Sequence, residues 1–469
     1  MKKFKLYLYM LALVFASTSC EDFLTYEPSD AVNDVTAFKT AKDVENALNG
    51  VYYSLGRSQF YGRNVVALGD IAADNCWMTG SSGHFDQIYK YTISDDSADL
   101  LDIWDGGYKT VDRAARLIKA GIGLLESDLS ENDKTIVKSA IAQAYGVKAL
   151  SQFALVNIYG LTYSEANKST PGIVVVADEP IVAFQEVERG TVEQAYQQVL
   201  ADITAARQYV AAVENDPFIM NEAALDALEA RVKLYMSDWA GAKTSALSAI
   251  SKSGGSIVSS PDDYFDMWAS VSATPEDIFT IAKLSNDNLS ANALNTLYGS
   301  YDGKATSGLY SLFGLNDMRI TLFNGSGEMI RALKYMGLPT SAATSNIPVL
   351  RLPEMYLIVA EAKAELGESD ALDYVWEIAK RNADLQKSGI PTDKNGLLNF
   401  ISVERRRELF QEGHRWFDLR RTGELMTRVG GNYPVTNWDA SKFVYPIPSQ
   451  EVNASGIAQN DGWSNNLPD

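Results

Sequence analysis

The chain has 469 residues, of which 46% are hydrophobic and 22% are charged, and its formal net charge at pH 7 is −19. This length and apolar content are sufficient for a large buried core or for two lobes. The acidity argues against nucleic acid and against an anionic lipid surface as direct partners, because both are bound through basic patches.

The amino terminus is typical of a secretory signal peptide over residues 1–19. Lysines precede an apolar run over about residues 6–16, which is too short to cross a bilayer as a helix. Small residues then lead to Cys20, as in a lipoprotein cleavage site, although Ser17 stands where leucine is usual. We therefore predict that Cys20 is acylated, that residues 20–36 form a lipidated tether, and that the lipid is the membrane attachment.

Helical hydrophobic periodicity recurs in pairs along residues 37–469, which we predict to be a single body. The four predicted helix pairs span about 40–122, 131–212, 221–252 and 352–384. In the first two pairs, Thr40 with Asp43 and Thr191 with Gln194 have the spacing of a capping box. In the third pair, a short turn and small residues at the helix crossing resemble a tetratricopeptide repeat. The predicted fold class is therefore mostly α, with a tetratricopeptide-like scaffold of helix pairs.

Three stretches lack a sustained helical period, at about 60–98, 253–350 and 424–469. They are rich in Gly, Ser, Asn, Asp and aromatic residues. Loops this long inside a compact domain are usually functional or disordered, and their aromatic content argues against disorder. We predict that they form one ordered, loop-rich lobe that binds a ligand.

A distinctive segment, ERRRELFQEGHRWFDLRRTG, occupies residues 404–423. It occurs together with CEDFL from Cys20, IPVLRLPEMYLIVAEA over 347–362, and YPIPSQEVN over 445–453, which leads to QNDGW. Taken in their order along the chain, the four stretches resemble the SusD/RagB family, the surface nutrient-binding lipoproteins of Bacteroidetes. The resemblance extends over nearly the whole chain.

The resemblance implies a binding protein without catalytic residues or cofactors. It implies a lipid-anchored position on the cell surface at the outer membrane, with a SusC-like TonB-dependent transporter as partner and the chain as a lid over its pore. A glycan is the ligand that we expect, for capture and delivery to the transporter. The family also contains oligopeptide binders, so a peptide ligand remains an alternative. A tetratricopeptide-type adaptor that binds other proteins is a further alternative from a different class.

Acidic residues and arginines alternate in the 404–423 segment. Glu408, Glu412, His414 and Asp418 could be considered as metal ligands, but the arginines beside them favour ion pairs. No metal site is predicted. The segment is instead predicted to hold a structural ion-pair network formed by Glu404, Arg405, Arg406, Arg407, Glu408, Glu412, Arg415 and Asp418.

Enzyme constellations are scarce in the chain. It has two histidines, His84 and His414, which leaves few possibilities for histidine-based metal sites or catalytic triads. No Gly-x-Ser-x-Gly, His-Glu-x-x-His or Cys-x-x-Cys motif occurs. Paired carboxylates are uninformative among 60 acidic residues. We therefore predict that the protein is not an enzyme.

Aromatic residues in the loops carry the ligand prediction. A sugar ring needs a flat aromatic platform beside polar groups that bond its hydroxyls. Trp104, Tyr145 and Trp376 follow helical stripes and are predicted to be core. The candidate ligand surface, chosen from the loops, consists of Asp74, Asn75, Trp77, Trp268, Tyr298 and Tyr301.

Overall fold

The structure is a computed structural model that describes residues 38–468 except 183, 184, 302, 339 and 342. The predicted signal peptide and the tether with Cys20 lie outside the described residues. In the described part, no helix is both long and apolar enough to cross a membrane.

The described chain is mostly α-helical. The longer helices are α1 Ala41–Leu55, α4 Ala98–Leu125, α5 Glu131–Tyr159, α6 Val192–Arg207, α7 Glu222–Tyr235, α8 Trp239–Ser253, α11 Leu352–Leu366 and α13 Lys394–Glu408. The shorter helices are α2 Asn64–Ile71, α3 Asp86–Lys90, α9 Pro261–Trp268, α10 Ser307–Tyr310, α12 Ala371–Ala379, α14 Arg415–Thr422 and α15 Ser449–Ser455.

The helices pack as pairs, which confirms the tetratricopeptide-like scaffold. Helix α1 lies against α4 and α5, and α5 also contacts α6. Helix α7 packs on α8, α8 packs on α11, and α11 contacts α12 and α13. The buried apolar faces of α1 and α4 to α8 join in one large cluster that extends from Ala41 to Ile457, whereas those of α12 and α13 form a separate cluster with part of α11.

Local sequence chemistry fixes several helix ends. The Thr40 side chain accepts a hydrogen bond from the Asp43 backbone N–H, and Asp43 bonds back to Thr40, which confirms the capping box. Thr191 and Gln194 do the same at the start of α6. Each capping box gives a hydrogen-bond acceptor to backbone N–H groups at the helix start that have no partner within the helix.

The strands are short and pair two by two. They are β1 Cys76–Met78, β2 Asp277–Ile281, β3 Gly303–Ala305, β4 Phe323–Asn324, β5 Arg331–Ala332, β6 Ile347–Arg351, β7 Met426–Arg428 and β8 Val435–Trp438. All four ladders are antiparallel: β1 with β3, β2 with β6, β4 with β5, and β7 with β8. The β1–β3 ladder joins the first two loop-rich stretches.

Helix α2 lies inside a stretch that showed no helical period in the sequence. All eight of its residues are buried, so it has no polar face to produce an amphipathic pattern. Gly69 of α2 approaches Gly413 so closely that a Cβ atom would lie 2.2 Å from the Gly413 carbonyl oxygen. Gly413 itself has a φ of 81°, which favours glycine. This contact docks the 404–423 segment against the first loop-rich stretch.

Candidate functional site

The 404–423 segment folds into the interior as α13, a turn and α14. Gln411 and Gly413 in the turn both have positive φ angles, of 59° and 81°. The turn is held by Asp70, whose carboxylate accepts hydrogen bonds from the backbone N–H groups of Gln411 and Gly413 at 3.0 and 2.9 Å. Burial raises the pKa of Asp70 to about 6, although these bonds act in the opposite direction.

Glu408 is the centre of a fully buried group of charges. Its carboxylate lies 2.6 Å from Arg381, 2.9 Å from Arg351 and 3.3 Å from Arg319. Burial alone would raise the pKa of Glu408, but the three guanidinium groups hold it well below its ordinary value. The Glu408 carboxylate is therefore ionised and compensated inside the protein.

Further acids complete this group, which we call the arginine network. Arg319 pairs with Glu404 at 2.6 Å, and Arg351 pairs with Glu412 at 2.6 Å. The network consists of Arg319, Arg351, Arg381, Lys334, Asp317, Glu276, Glu404, Glu408 and Glu412. All of these side chains are buried. Arg319, Arg351 and Arg381 lie outside the 404–423 segment, so the sequence analysis did not assign them.

The arginines of the segment itself have partners both inside and outside it. Within the segment, Arg405 pairs with Asp418 at 3.1 Å and Arg407 pairs with Glu404 at 2.9 Å. Arg406 and Arg415 were also expected to pair with acids of the segment, and this expectation is wrong, because both pair with Asp74. Both residues turn to the first loop-rich stretch, because the Gly69–Gly413 contact brings that stretch against the segment.

Asp74 and Asn75 receive these two arginines. Arg415 donates from Nε to the Asp74 carboxylate at 2.8 Å, and Arg406 lies 3.3 Å from the same carboxylate. Arg406 Nε donates to Asn75 Oδ1 at 2.7 Å. Asp74 is 2% exposed and Asn75 is 3% exposed, so in this structure both anchor the base of β1. Their predicted bonds to ligand hydroxyls stay a prediction.

Trp268 belongs to a different apolar cluster from Trp77 and Tyr298. It belongs to a second apolar cluster with Tyr264 and Phe410. Its ring is 4.7 Å from the Lys334 ammonium and 5.0 Å from the Arg351 guanidinium, so it packs against the arginine network. Burial lowers the pKa of Lys334 to about 8. A ligand role for Trp268 stays a prediction, and the structure gives this ring 6% exposure.

The β1–β3 ladder brings Trp77, Tyr298 and Tyr301 into one neighbourhood. Trp77 of β1 pairs with Lys304 of β3 and is 8% exposed. Tyr298 lies in a π-helical turn at Thr296–Ser300, where it is buried and stacks on Tyr335 with ring centroids 6.4 Å apart. Single π-helical turns are frequent at functional sites.

Tyr301 follows that turn and reaches the surface. Its ring stacks on His84, with centroids 5.5 Å apart and planes 17° from parallel. Both residues are half-buried. His84 follows the exposed loop of residues 80–83, in which Gly80 and Gly83 have positive φ angles of 81° and 76°. We call the His84–Tyr301 pair the platform.

Arg63 lies over the ring of Phe85, the residue after His84, 5.6 Å from the ring centroid. Asp99 and Asp102 of α4 are half-buried, and Arg63 acts on both electrostatically. Burial raises the pKa of each carboxyl, and Arg63 opposes the increase. Asp99 also interacts electrostatically with His84 of the platform. The aromatic face of the platform suits a ligand with an apolar face.

Sequence reasoning predicted Tyr301 but did not assign His84, Arg63, Asp99 and Asp102 to the site. The glycine-rich loop before His84 was the local signal that could have indicated an exposed histidine. The two aspartates lie near the start of an amphipathic helix, where acidic residues are common for reasons of helix stability. Only the fold brings the two aspartates close to Arg63.

A surface groove of about 560 Å³ lies further along α4 and is lined by Trp104, Tyr108 and Val176, among others. Trp104 is 4% exposed, and the Tyr108 hydroxyl donates a hydrogen bond to the Val174 carbonyl oxygen at 2.9 Å. The aromatic rings of this groove are therefore packed into its walls, and the platform is the better candidate for stacking on a ligand.

Comparison with known proteins supports the family resemblance. A family model described as "SusD family" matches residues 336–463, and one described as "Starch-binding associating with outer membrane" matches residues 22–234. SusD-like protein P2 of Formosa agariphila is 24% identical over 99% of this chain and 100% of its own length.

Solved structures agree on the fold. A SusD superfamily protein from Bacteroides vulgatus is 28% identical, with a TM-score of 0.81 over 91% of this chain and 100% of that chain. A putative sugar binding protein from the same species is 23% identical, with a TM-score of 0.84 over the same shares of the two chains. The matches at both ends of the sequence and the shared helical fold show that this chain belongs to the SusD/RagB family.

Proposed function

We propose that this protein captures a glycan at its surface and delivers it to a SusC-like TonB-dependent transporter in the outer membrane. The observation that carries the proposal is the platform, a stacked and half-buried aromatic pair next to an exposed loop. No catalytic residue is assigned, because capture needs stacking and hydrogen bonds but no covalent step.

The platform suits the two faces of a sugar. The C–H face of a pyranose ring packs on an aromatic ring, and its hydroxyl groups donate to carboxylates at the edge. Tyr301 supplies the ring, and we propose Asp99, which interacts electrostatically with His84, as an acceptor. Lys304 of the β1–β3 ladder donates a hydrogen bond from Nζ to the Tyr301 carbonyl oxygen at 2.9 Å. Asp74 and Asn75 connect the chain just before β1 to Arg415 and Arg406 of α14 and α13.

Descriptions of related proteins favour the same class of ligand. The family model over residues 22–234 is described as starch-binding and associated with the outer membrane. Two solved structures with this fold are described as a putative sugar binding protein and as a SusD-like carbohydrate binding protein. These descriptions belong to the relatives, and they support a glycan as the first ligand to test here.

The binding test measures the affinity of the wild-type protein and of two tyrosine variants for a panel of neutral polysaccharides and oligopeptides. Tyr301→Ala removes half of the platform, and we expect it to cost about 2 kcal/mol, roughly a thirtyfold loss of glycan affinity, with the melting temperature little changed. The control is Tyr310→Ala, because Tyr310 is 37% exposed and its ring contacts Phe323 outside the platform.

Each alternative predicts a different result in this panel. Binding of a peptide but no glycan would support the oligopeptide alternative. Binding of neither class would favour the protein-interaction adaptor. Equal affinity in wild type and Tyr301→Ala would contradict the assignment of the platform.

We also propose that acylation of Cys20 attaches the protein to the outer membrane. Cys20→Ala is expected to release the protein into the soluble fraction in cells that lack the partner transporter. Co-purification of the wild-type protein with a TonB-dependent transporter from outer membranes would support delivery to the transporter. Retention of Cys20→Ala in the membrane without that barrel would contradict the anchor.

A further inference from the structure

A second pocket, of about 410 Å³, lies where the end of α5 meets the end of α14. It is lined by residues 161–164 and Asn167 after α5, by residues 420–423 at the end of α14, and by residues 441 and 442. It shares no residue with the platform. Pockets for small ligands commonly measure about 300 to 1,000 Å³, so this one has room for a molecule larger than a single ion.

The charged side chains that line this pocket are cations. They are Arg420, Arg421 and Lys442, and no described aspartate or glutamate is among the lining residues. The C-terminal end of α14 also lies here, but a helix end carries only about half of an elementary negative charge. The pocket therefore offers positive charge to a ligand, although the whole chain has a formal net charge of −19.

Arg420 is the buried cation of the pocket, with 3% exposure. It donates to the carbonyl oxygens of Asn157, Gly160 and Phe443, the last two at 3.0 and 2.9 Å. No carboxylate in the described part of the chain pairs with it, and its Nε has no hydrogen-bond partner there. Burial lowers the pKa of Arg420 to about 10, so the group stays charged at neutral pH. A buried charge without a counter-charge is costly, and an anion in the pocket would reduce that cost.

The other two cations differ in how far they are already compensated. Arg421 pairs with Glu361 and, at 2.8 Å, with Asp418, so it adds little net charge. The Lys442 side chain is 70% exposed and its ammonium lies 3.1 Å from Asp439. An exposed pair of this kind contributes at most about 1 kcal/mol. Lys442 can therefore turn from Asp439 to a ligand at little cost.

Uncharged groups of the pocket suit a ligand that carries hydroxyls. The Ser164 hydroxyl accepts a hydrogen bond from the Asn167 backbone N–H at 3.2 Å and keeps its own hydrogen for donation. Tyr163 is half-buried, with its ring 4.8 Å from the Tyr196 ring and its hydroxyl bonded to Glu193 at 2.6 Å. The Tyr163 ring is thus held in place and offers an apolar face.

We propose that this pocket binds a small acidic sugar, a uronate monosaccharide or a sugar acid of similar size. Lys442 contacts the carboxylate, Arg420 attracts it from beneath the pocket, and Ser164 with Tyr163 contacts the rest of the molecule. This binding goes beyond glycan capture at the platform and uses none of its residues.

The test uses pairs of sugars that differ only at C6. Titration calorimetry of the mature chain at constant ionic strength compares galacturonate with galactose and glucuronate with glucose. We expect at least one uronate to bind with a Kd of about 1 mM or lower and its neutral partner to bind about tenfold more weakly or worse. Sulfate and phosphate are titrated in parallel, because a site for the charge alone would bind them as tightly as the uronate.

Two variants locate the binding. Lys442→Gln removes the accessible ammonium and is expected to weaken uronate binding roughly tenfold, with the melting temperature little changed. Ser164→Phe places a ring in the pocket and is expected to abolish binding. The control is Lys380→Gln, because Lys380 forms an exposed pair with Glu377 that has the same spacing and does not line the pocket.

Each outcome supports or overturns the inference. Equal affinity for a uronate and its neutral partner, or no binding of either uronate, would overturn it. Sulfate or phosphate bound as tightly as the uronate would reduce the pocket to an adventitious ion site. Unchanged uronate affinity in both Lys442→Gln and Ser164→Phe, or an equal loss in Lys380→Gln, would place the binding elsewhere. Polysaccharide capture by Lys442→Gln is expected to equal that of wild type, so failure of the platform and failure of this pocket are distinguishable.

Discussion

The arginine network and the platform use similar side chains in opposite ways. In the network, Glu408 is enclosed by three guanidinium groups and has no exposure. In α4, near Arg63, Asp99 and Asp102 are half-buried and share the influence of that one arginine. A carboxylate satisfied inside the protein stabilises it, whereas a carboxylate at the surface retains acceptor capacity for a ligand.

The aromatic residues differ in the same way. Trp268 has cations near its ring and little exposure, while Tyr301 stacks on His84 and reaches the surface. The comparison shows that residue type alone does not separate a structural group from a binding group. The accessibility of the group and the number of partners already bonded to it make the distinction.

The largest effect is expected from breaking the network at its centre. Glu408→Gln removes the charge that compensates Arg319, Arg351 and Arg381. Breaking a buried ion pair from one side typically costs about 3 to 5 kcal/mol, and we expect a loss in this range in urea unfolding.

The matched control for Glu408→Gln is Glu377→Gln. Glu377 pairs with Lys380 at the surface, with both side chains 41% exposed, and such pairs contribute at most about 1 kcal/mol. A similar small effect in the two variants would contradict a stabilising network.

The second prediction concerns the aromatic residues. Trp268→Ala leaves a cavity beside Lys334 and Arg351, and large-to-small changes of this kind cost about 3 to 5 kcal/mol of stability. Glycan affinity is expected to stay within about twofold of wild type, measured by titration calorimetry at a temperature where the variant is folded. A large loss of affinity with little change in stability would instead place Trp268 in the ligand site, as the sequence analysis suggested.

The third prediction is a pH dependence in the interior. Burial raises the pKa of Asp70 from 3.8 to about 6, so between these values the folded state holds a proton that the unfolded state has released. The contribution of Asp70 to stability is therefore present below about pH 4 and is lost as the pH rises to about 6, by at most about 3 kcal/mol. Unfolding measured from pH 4 to 7 should show a steeper loss of stability in wild type than in Asp70→Asn. The variant keeps the part that comes from Asp202, whose pKa burial also raises to about 6. Parallel curves for the two proteins would refute it.

The smallest effect is expected at the second half of the platform. His84→Ala removes the ring that stacks on Tyr301, and an aromatic contact of this kind contributes about 1 kcal/mol, or roughly fivefold in glycan affinity. Combined with Tyr301→Ala in a double-mutant cycle, the loss should be less than additive, because the two rings act together. Gln87→Ala, an exposed neighbour, is the control. Fully additive losses would show that the rings bind independently.

Short-range patterns predicted much of the scaffold. Capping boxes at Thr40 and Thr191 depend on residues three positions apart, and helical periods depend on residues three and four apart. These interactions are local, so the sequence carries them directly. The dense alternation of arginines and acids likewise indicated ion pairs in the 404–423 segment before any partner was visible.

Long-range partners were decided by the tertiary structure. Arg415 meets Asp74 across 341 residues, and His84 meets Tyr301 only because β1 pairs with β3. Helix α2 was not predicted from the sequence, because it is buried on every side and has no amphipathic period. The sequence by itself thus determined the family motifs, the helix pairs and their caps. Contacts between distant loops decided which aromatic residues stay accessible and which acids are already neutralised. No local pattern in the sequence encodes those contacts.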